Sequence, residues 1–266
     1  MINKKLIQWL NIITFIATVL INYLATGLKL GGYNTGELSD LIPNLFVPIG
    51  LTFTVWAVIY FFLGGFSIYQ GRDLFKETKM DMPYLNKIGY YFIISNIANF
   101  VWIFLWHFRL IPYSLVFMII ILLTLIIIYL RLGIGKTNVS RAERIWVHTP
   151  FSIYLGWITV ATIANVTAVL VTSGVPDGVA ISLGGTGANL AAEIWTILVI
   201  VVAVIITYLM LWLRKDWVYS LVVVWASLGI YLKQSTGNLT IAITALIAVI
   251  IVAIGIVYTG VRLLRK

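Results

Sequence analysis

Long apolar runs separated by short polar breaks organise this chain. Eight stretches stand out: Leu6 to Leu24, Leu45 to Tyr69, Ile88 to Trp106, Ile111 to Leu130, Thr149 to Val171, Ile194 to Leu213, Trp217 to Leu232, and Leu239 to Val261. Within each, apolar residues follow one another without the alternation of a half-buried strand. All but the seventh approach or exceed the roughly 20 residues a helix needs to cross the hydrocarbon of a bilayer. Backbone polar groups in lipid must be satisfied inside the spanning element, so the pattern predicts an all-α integral membrane protein of about eight transmembrane helices. The seventh run is short and carries Trp217, Tyr219, Trp225 and Tyr231, so a tilted or re-entrant piece is the alternative there.

Composition agrees with the pattern. Hydrophobic residues make up 61% of the chain and charged residues 10%, against roughly 45 to 50% and 25% in soluble domains. A net charge of +9 would suggest nucleic acid for a soluble protein. Here the basic residues lie between apolar runs, which makes the lipid bilayer the expected partner and gives no reason to invoke nucleic acid. With the N-terminus inside, only Lys29, Arg109 and Lys233 of the 18 Lys and Arg fall outside. Both termini are therefore expected to be cytoplasmic, the setting being the plasma membrane of a prokaryote. Lys4 and Lys5 ahead of an apolar run resemble a signal peptide, but the run is too long and is interrupted by Asn11 and Asn22, so it reads as a retained helix.

Three polar breaks are more than turns. The outer stretch from Gly27 to Asn44, with Gly31, Gly32, Asn34, Gly36 and Pro43, is long enough to fold over a bundle as a lid. The inner stretch from Gly71 to Lys87 reads as a short surface helix or a solvated loop. The third, from Thr172 to Asn189, separates five spans from three.

Reactive chemistry is sparse. The chain has no cysteine, which excludes disulfides and thiolate ligation. All nine carboxylates sit in loops or at segment ends, with Glu193 the nearest to the membrane, as a first-turn residue of the sixth helix. An ion-coupled transporter usually places an ionisable residue at mid-depth. His107 and His148 fall on opposite faces and cannot share a metal. Lys233 reads as a snorkelling lysine and not a Schiff-base one. Gly184, Gly185, Thr186 and Gly187 lack the Lys-Ser/Thr of a phosphate loop. No catalytic constellation or metal-ligand cluster emerges, so the chain is not read as an enzyme and needs no cofactor.

What remains is neutral polar and aromatic. Phe53, Trp56 and Tyr60 share a face of the second helix; Asn96, Asn99 and Trp102 share one on the third; Tyr154, Trp157, Ala161 and Asn165 share one on the fifth. Such faces can serve as helix-to-helix glue. Their common depth, in the outer half of the membrane beneath the Gly27 to Asn44 connection, also suits a pocket for a flat, mostly apolar ligand.

At these residues the sequence resembles the TspO/MBR family, the tryptophan-rich sensory proteins. Pro48-Ile-Gly-Leu-Thr-Phe53-Thr-Val-Trp56-Ala-Val-Ile-Tyr60 is similar to the family's second helix, Asn99-Phe-Val-Trp102 with Phe104, Trp106 and Phe108 to its third, and Tyr154-Leu-Gly-Trp157-Ile-Thr-Val-Ala161-Thr-Ile-Ala-Asn165 to its fifth. Ile153 stands where the family has proline, and no Tyr followed by Arg or Lys comes after Asn165, so the sterol-contact pattern of some members is missing. The resemblance runs over about residues 1–172. It implies a five-helix TspO-like bundle there, with 173–266 a three-helix extension left for packing, a homodimer contact or a second function. It further implies a receptor or sensor that binds a hydrophobic small molecule of tetrapyrrole type, a porphyrin, lined by Phe53, Trp56, Tyr60, Asn96, Asn99, Trp102, Tyr154, Trp157, Ala161 and Asn165. The rival reading is a secondary transporter or permease-like protein with a path open to both faces.

Overall fold

A computed structural model describes residues 3–173 and 187–264. Among these the chain is helical, with no strand. In order come α1 (Lys4–Gly27), α2 (Thr35–Asp40), α3 (Val55–Gly71), α4 (Pro83–Ile88), α5 (Tyr91–His107) and α6 (Ile111–Leu132). Then α7 (Arg141–Glu143) runs through a wide turn at Arg144–His148 into α8 (Thr149–Thr172), followed by α9 (Gly187–Arg214), α10 (Trp217–Gln234) and α11 (Leu239–Leu264). Six helical stretches are long and apolar enough to cross a membrane: Lys4–Gly27, Gly50–Gly71, Ile111–Leu132, Arg141–Thr172, Leu190–Arg214 and Leu239–Leu263. The predicted third and seventh spans correspond to α5, apolar but 17 residues long, and to the 18-residue α10. The connection expected from Thr172 to Asn189, including the Gly184 to Gly187 stretch, lies largely outside the described residues.

The apolar surface is distributed as lipid requires. Ile13, Ile16 and Leu20 on α1, Phe61 and Ile68 on α3, and Ile243, Ile247, Ile250 and Ile254 on α11 are all exposed. Hydrocarbon is the solvent that suits them. The opposite faces bury a core in which α1, α3, α5, α6 and α8 surround Phe66, Phe92 and Phe151, none of them exposed at all. These three rings meet edge to face at 5.3 to 5.5 Å, the arrangement their quadrupoles favour. α10 packs against α8, so the last three helices do not stand apart from the first five.

The charge pattern maps onto the two ends of the bundle. At one end Lys4 pairs with Asp73, Arg131 donates to the Asn86 carbonyl and Arg214 to that of Ile134. At the other, Lys29 pairs with Glu37, Arg109 lies over the Tyr33 ring and Lys233 pairs with Asp40.

Within the Gly71 to Lys87 connection, only Pro83–Ile88 is helical. The rest is tied down by Asp73, whose enclosed carboxylate accepts from Lys4 Nζ at 2.7 Å, Gln8 Nε2 at 2.8 Å and the Met80 N–H at 2.8 Å. Burial alone would raise the pKa of this carboxyl, but the hydrogen bonds from Lys4, Gln8 and Met80 outweigh it and hold the group below the usual carboxylate range. A depressed folded-state pKa stabilises the protein above the unfolded value, and that contribution is lost as pH falls toward the folded one. Asp73→Asn is thus expected to cost about 1.5 to 3 kcal/mol at neutral pH. Thermal unfolding in detergent from neutral to acid pH should show the gap between variant and parent narrowing below about pH 4.

Candidate functional site

The end of the bundle opposite Lys4, Arg131 and Arg214 is closed by the segment between α1 and α3, and its sequence explains how it turns. Lys29, Gly31 and Gly32 take positive φ of 49°, 74° and 92°, and Gly31 lies so close to α5 that a Cβ there would come within 2.8 Å of the His107 carbonyl oxygen. Asn34 then starts α2 with a capping box: its side chain accepts from the Glu37 N–H, and Glu37 accepts from the Asn34 N–H. Leu38, Phe46 and Val47 are buried beneath this cover. The expected lid is present, and α2 is its helical part.

Two sets of contacts hold the lid. On the α5 side, His107 is buried and engages with both ring nitrogens. Nδ1 lies 2.7 Å from the Leu30 carbonyl, to which it must donate, so Nε2 accepts from the Thr35 hydroxyl at 3.2 Å. On the other side α10 grips the lid. The Gly229 carbonyl accepts from the Ile49 N–H, Trp225 Nε1 donates to the Thr52 carbonyl at 3.0 Å, Gln234 Nε2 donates to Leu45 at 3.1 Å, and Lys233 pairs with Asp40. Gly229 permits this approach, since a Cβ there would sit 2.0 Å from Thr52 Oγ1. His107 and Lys233 are lid anchors, Lys233 where the sequence suggested a snorkelling lysine. Glu193 differs as well: α9 starts at Gly187, so this carboxylate lies beyond the first turn and accepts from Asn238 Nδ2 at 2.6 Å.

Under the lid the aromatic faces converge on Trp56. Its indole stacks with Tyr60 at 5.5 Å and with Trp102 at 6.2 Å, and meets Tyr154 at 6.0 Å and Trp157 at 6.3 Å edge-on. Phe53 meets Trp157 at 5.8 Å and Trp106 stacks on Trp102 at 6.1 Å. Two spaces flank this cluster and share Phe53, Trp56 and Thr35. One is a cleft of about 590 Å³ between α1, the lid and α3, whose walls include Asn22, Thr26, Gly36, Ala57 and Tyr60. The other is a chamber of about 40 Å³ bounded by Trp102, Trp106, Trp157, Ala161 and Asn165. The chamber has room for little more than one water. The cleft is within the size range of small-molecule sites, roughly 300 to 1,000 Å³. Trp56 and Phe53 form the partition.

The ten residues singled out in the sequence therefore divide. Phe53, Trp56 and Tyr60 line the cleft; Trp102, Trp157, Ala161 and Asn165, with Phe53 and Trp56, line the chamber. Tyr154 supports Trp56 from behind, and its hydroxyl accepts from Asn99 Nδ2 at 3.0 Å. Asn99 accepts in turn from Asn22 Nδ2 at 2.8 Å, which links α1, α5 and α8 in one buried chain. Asn96 lines neither space: it donates to Thr14 Oγ1, its carbonyl accepts from Thr18, and it joins α5 to α1. Asn165 is paired with Ser114 of α6. The sequence reading left out the α1 wall and the lid residues. Asn11, Thr18 and Asn22, at spacings of seven and four, mark a polar stripe on α1 that could have indicated them.

Among the described residues, Trp102 Nε1, Trp106 Nε1, Trp157 Nε1 and the Tyr60 hydroxyl are buried without a hydrogen-bond partner. Such groups are uncommon in folded proteins, and four belong to side chains that line the two spaces. All four are donors enclosed among the side chains around the two spaces. Toward the other end of the bundle the core is filled by Phe66, Phe92 and Phe151, and below them Gln8 joins Gln70 and Asp73 by hydrogen bonds.

A family model described as TSPO-like protein matches residues 8–258. The match continues past residue 172, through α9 and α10 and into α11. No curated protein and no solved structure matches the chain.

Proposed function

The chain belongs to the TSPO-like protein family, and from that premise we propose that it is a membrane receptor or sensor for a flat, largely apolar ligand of porphyrin type, held in the cleft between α1, the lid and α3. The observation that carries this reading is the 590 Å³ cleft walled on one side by Trp56 and Tyr60. Trp56 offers a stacking face whose tilt is set by four aromatic neighbours. Tyr60 adds a buried hydroxyl with no partner among the described residues. An apolar macrocycle gains from burial and stacking there, and a turn of the Tyr60 side chain on binding would present that hydroxyl to its polar edge.

The phenylalanine plug favours a receptor over a permease, because a transported ligand would have to pass it. In the proposed orientation the Lys4, Arg131 and Arg214 end faces the cytoplasm of a prokaryote and the lid faces out.

Titration of the purified protein with protoporphyrin IX, read by tryptophan quenching, tests the proposal. Ala57 is exposed on the cleft wall, so Ala57→Phe fills the cleft without disturbing the core and should weaken binding by about tenfold or more, roughly 1.4 kcal/mol. Ala161→Leu overfills the chamber and Trp157→Phe removes an indole behind Trp56; both should weaken binding less. Trp217→Phe, far from the lid, should leave affinity unchanged. Parent-like titration of Ala57→Phe would remove the cleft from consideration.

A further inference from the structure

At the basic end of the bundle, α9 and α11 flank a third cavity, of about 140 Å³, bounded by Tyr208, Trp212, Lys215, Gly255, Tyr258 and Arg262 among others. It lies on the far side of the molecule from the lid and shares no lining residue with the cleft. Gly255 keeps it open: a Cβ there would meet Leu211 Cδ1 at 3.0 Å and the Tyr208 hydroxyl at 3.1 Å. Tyr208 is held by its hydrogen bond to the Ile251 carbonyl at 2.8 Å. The floor is apolar and the rim is cationic.

Among the described residues nothing neutralises the rim charges. Lys215 and Arg262 form no ion pair among the described residues. Asp216, next to Lys215 in sequence, is turned inward to Tyr129 and Ser152. Lys215 itself is held in the left-handed region at φ 55°, a conformation that strains a residue with a side chain. The apolar spans end at Arg214 and Leu263, which sets both cations at the boundary where hydrocarbon meets headgroups. Trp212 and Tyr258 beside them are 74% and 66% exposed, as befits side chains at that boundary.

An apolar floor reaching into the hydrocarbon, two uncompensated cations at headgroup depth and flanking interfacial aromatics match one chemistry. We propose that this groove is a binding site for an anionic phospholipid, with the phosphodiester between Lys215 and Arg262 and the start of an acyl chain lying over Gly255. Free phosphate shares the headgroup charge but would gain nothing from the floor.

Delipidated full-length protein in detergent, exposed to phosphatidylglycerol or to phosphatidylcholine with the same acyl chains, should retain the anionic lipid about tenfold more tightly by native mass spectrometry. Inorganic phosphate at millimolar concentration should fail to displace it. Lys215→Gly relieves the left-handed backbone while removing one charge, so it should remain folded and lose most of the preference; Lys215→Gln with Arg262→Gln should abolish it. Gly255→Leu, which fills the floor, should weaken retention of both lipids. Equal retention of the two lipids, displacement by free phosphate, an unchanged preference in the Lys215 and Arg262 variants, or a lipid-independent dimer that covers the groove would each overturn the proposal.

Discussion

Asp216→Ala is expected to destabilise the protein by about 3 to 5 kcal/mol. Asp216 caps α10, and three donors from three helices converge on its carboxylate: Tyr129 of α6 and Ser152 of α8 at 2.8 and 2.7 Å on one oxygen, and the Tyr219 N–H of α10 at 3.0 Å on the other. Truncation leaves all three without that acceptor in a place from which water is excluded, at about 1 to 3 kcal/mol each before rearrangement. Asp216→Asn keeps one acceptor oxygen and should lose less, and Ser152→Ala, which removes one donor, less again. Unfolding in detergent should rank them in that order. Equal stability of Asp216→Ala and the parent would mean that α10 is not anchored to α6 and α8 through this residue.

Trp56→Ala is expected to affect both stability and binding. The indole is the common neighbour of Tyr60, Trp102, Tyr154 and Trp157, and truncation of a large packed aromatic costs about 3 to 5 kcal/mol. Because Trp56 also separates the cleft from the chamber, its loss joins the two spaces and removes the stacking face. The variant should melt earlier and show no saturable quenching by protoporphyrin IX. Trp56→Phe, which retains an aromatic face, should recover most of the stability and part of the affinity. If Trp56→Ala bound as tightly as the parent, the ligand would not lie against this ring.

Much of this arrangement was legible in the sequence because membrane helices write their burial as composition. The apolar runs marked the long helices, six of which are long and apolar enough to span where eight spans were expected, and the split of Lys and Arg separated the two ends that the Lys4–Asp73 and Lys233–Asp40 pairs now mark. Spacings of three and four placed Phe53, Trp56 and Tyr60 on one face, and in the structure they stand along the cleft. Those spacings could not say which amides face a cavity and which join helices. Asn96 and Asn99 are one turn apart on α5, yet both are consumed by contacts with α1 and α8. A side chain's partner across the bundle leaves no mark in its own helix's periodicity. The role of α10 was hidden for the same reason: Trp217, Tyr219, Trp225 and Tyr231 suggested a tilted or re-entrant piece, while Thr52, Ile49 and Leu45, the partners of Trp225, Gly229 and Gln234, lie more than 170 residues earlier in the chain.

The most direct test of the cleft as a ligand site is an experimental structure of the protein with a metal-substituted protoporphyrin, the anomalous signal of the metal locating the macrocycle. The metal is expected between α1, the lid and α3, with the ring plane against Trp56 and its polar edge within reach of the Tyr60 hydroxyl. A macrocycle located elsewhere on the protein, with the cleft unchanged, would contradict it.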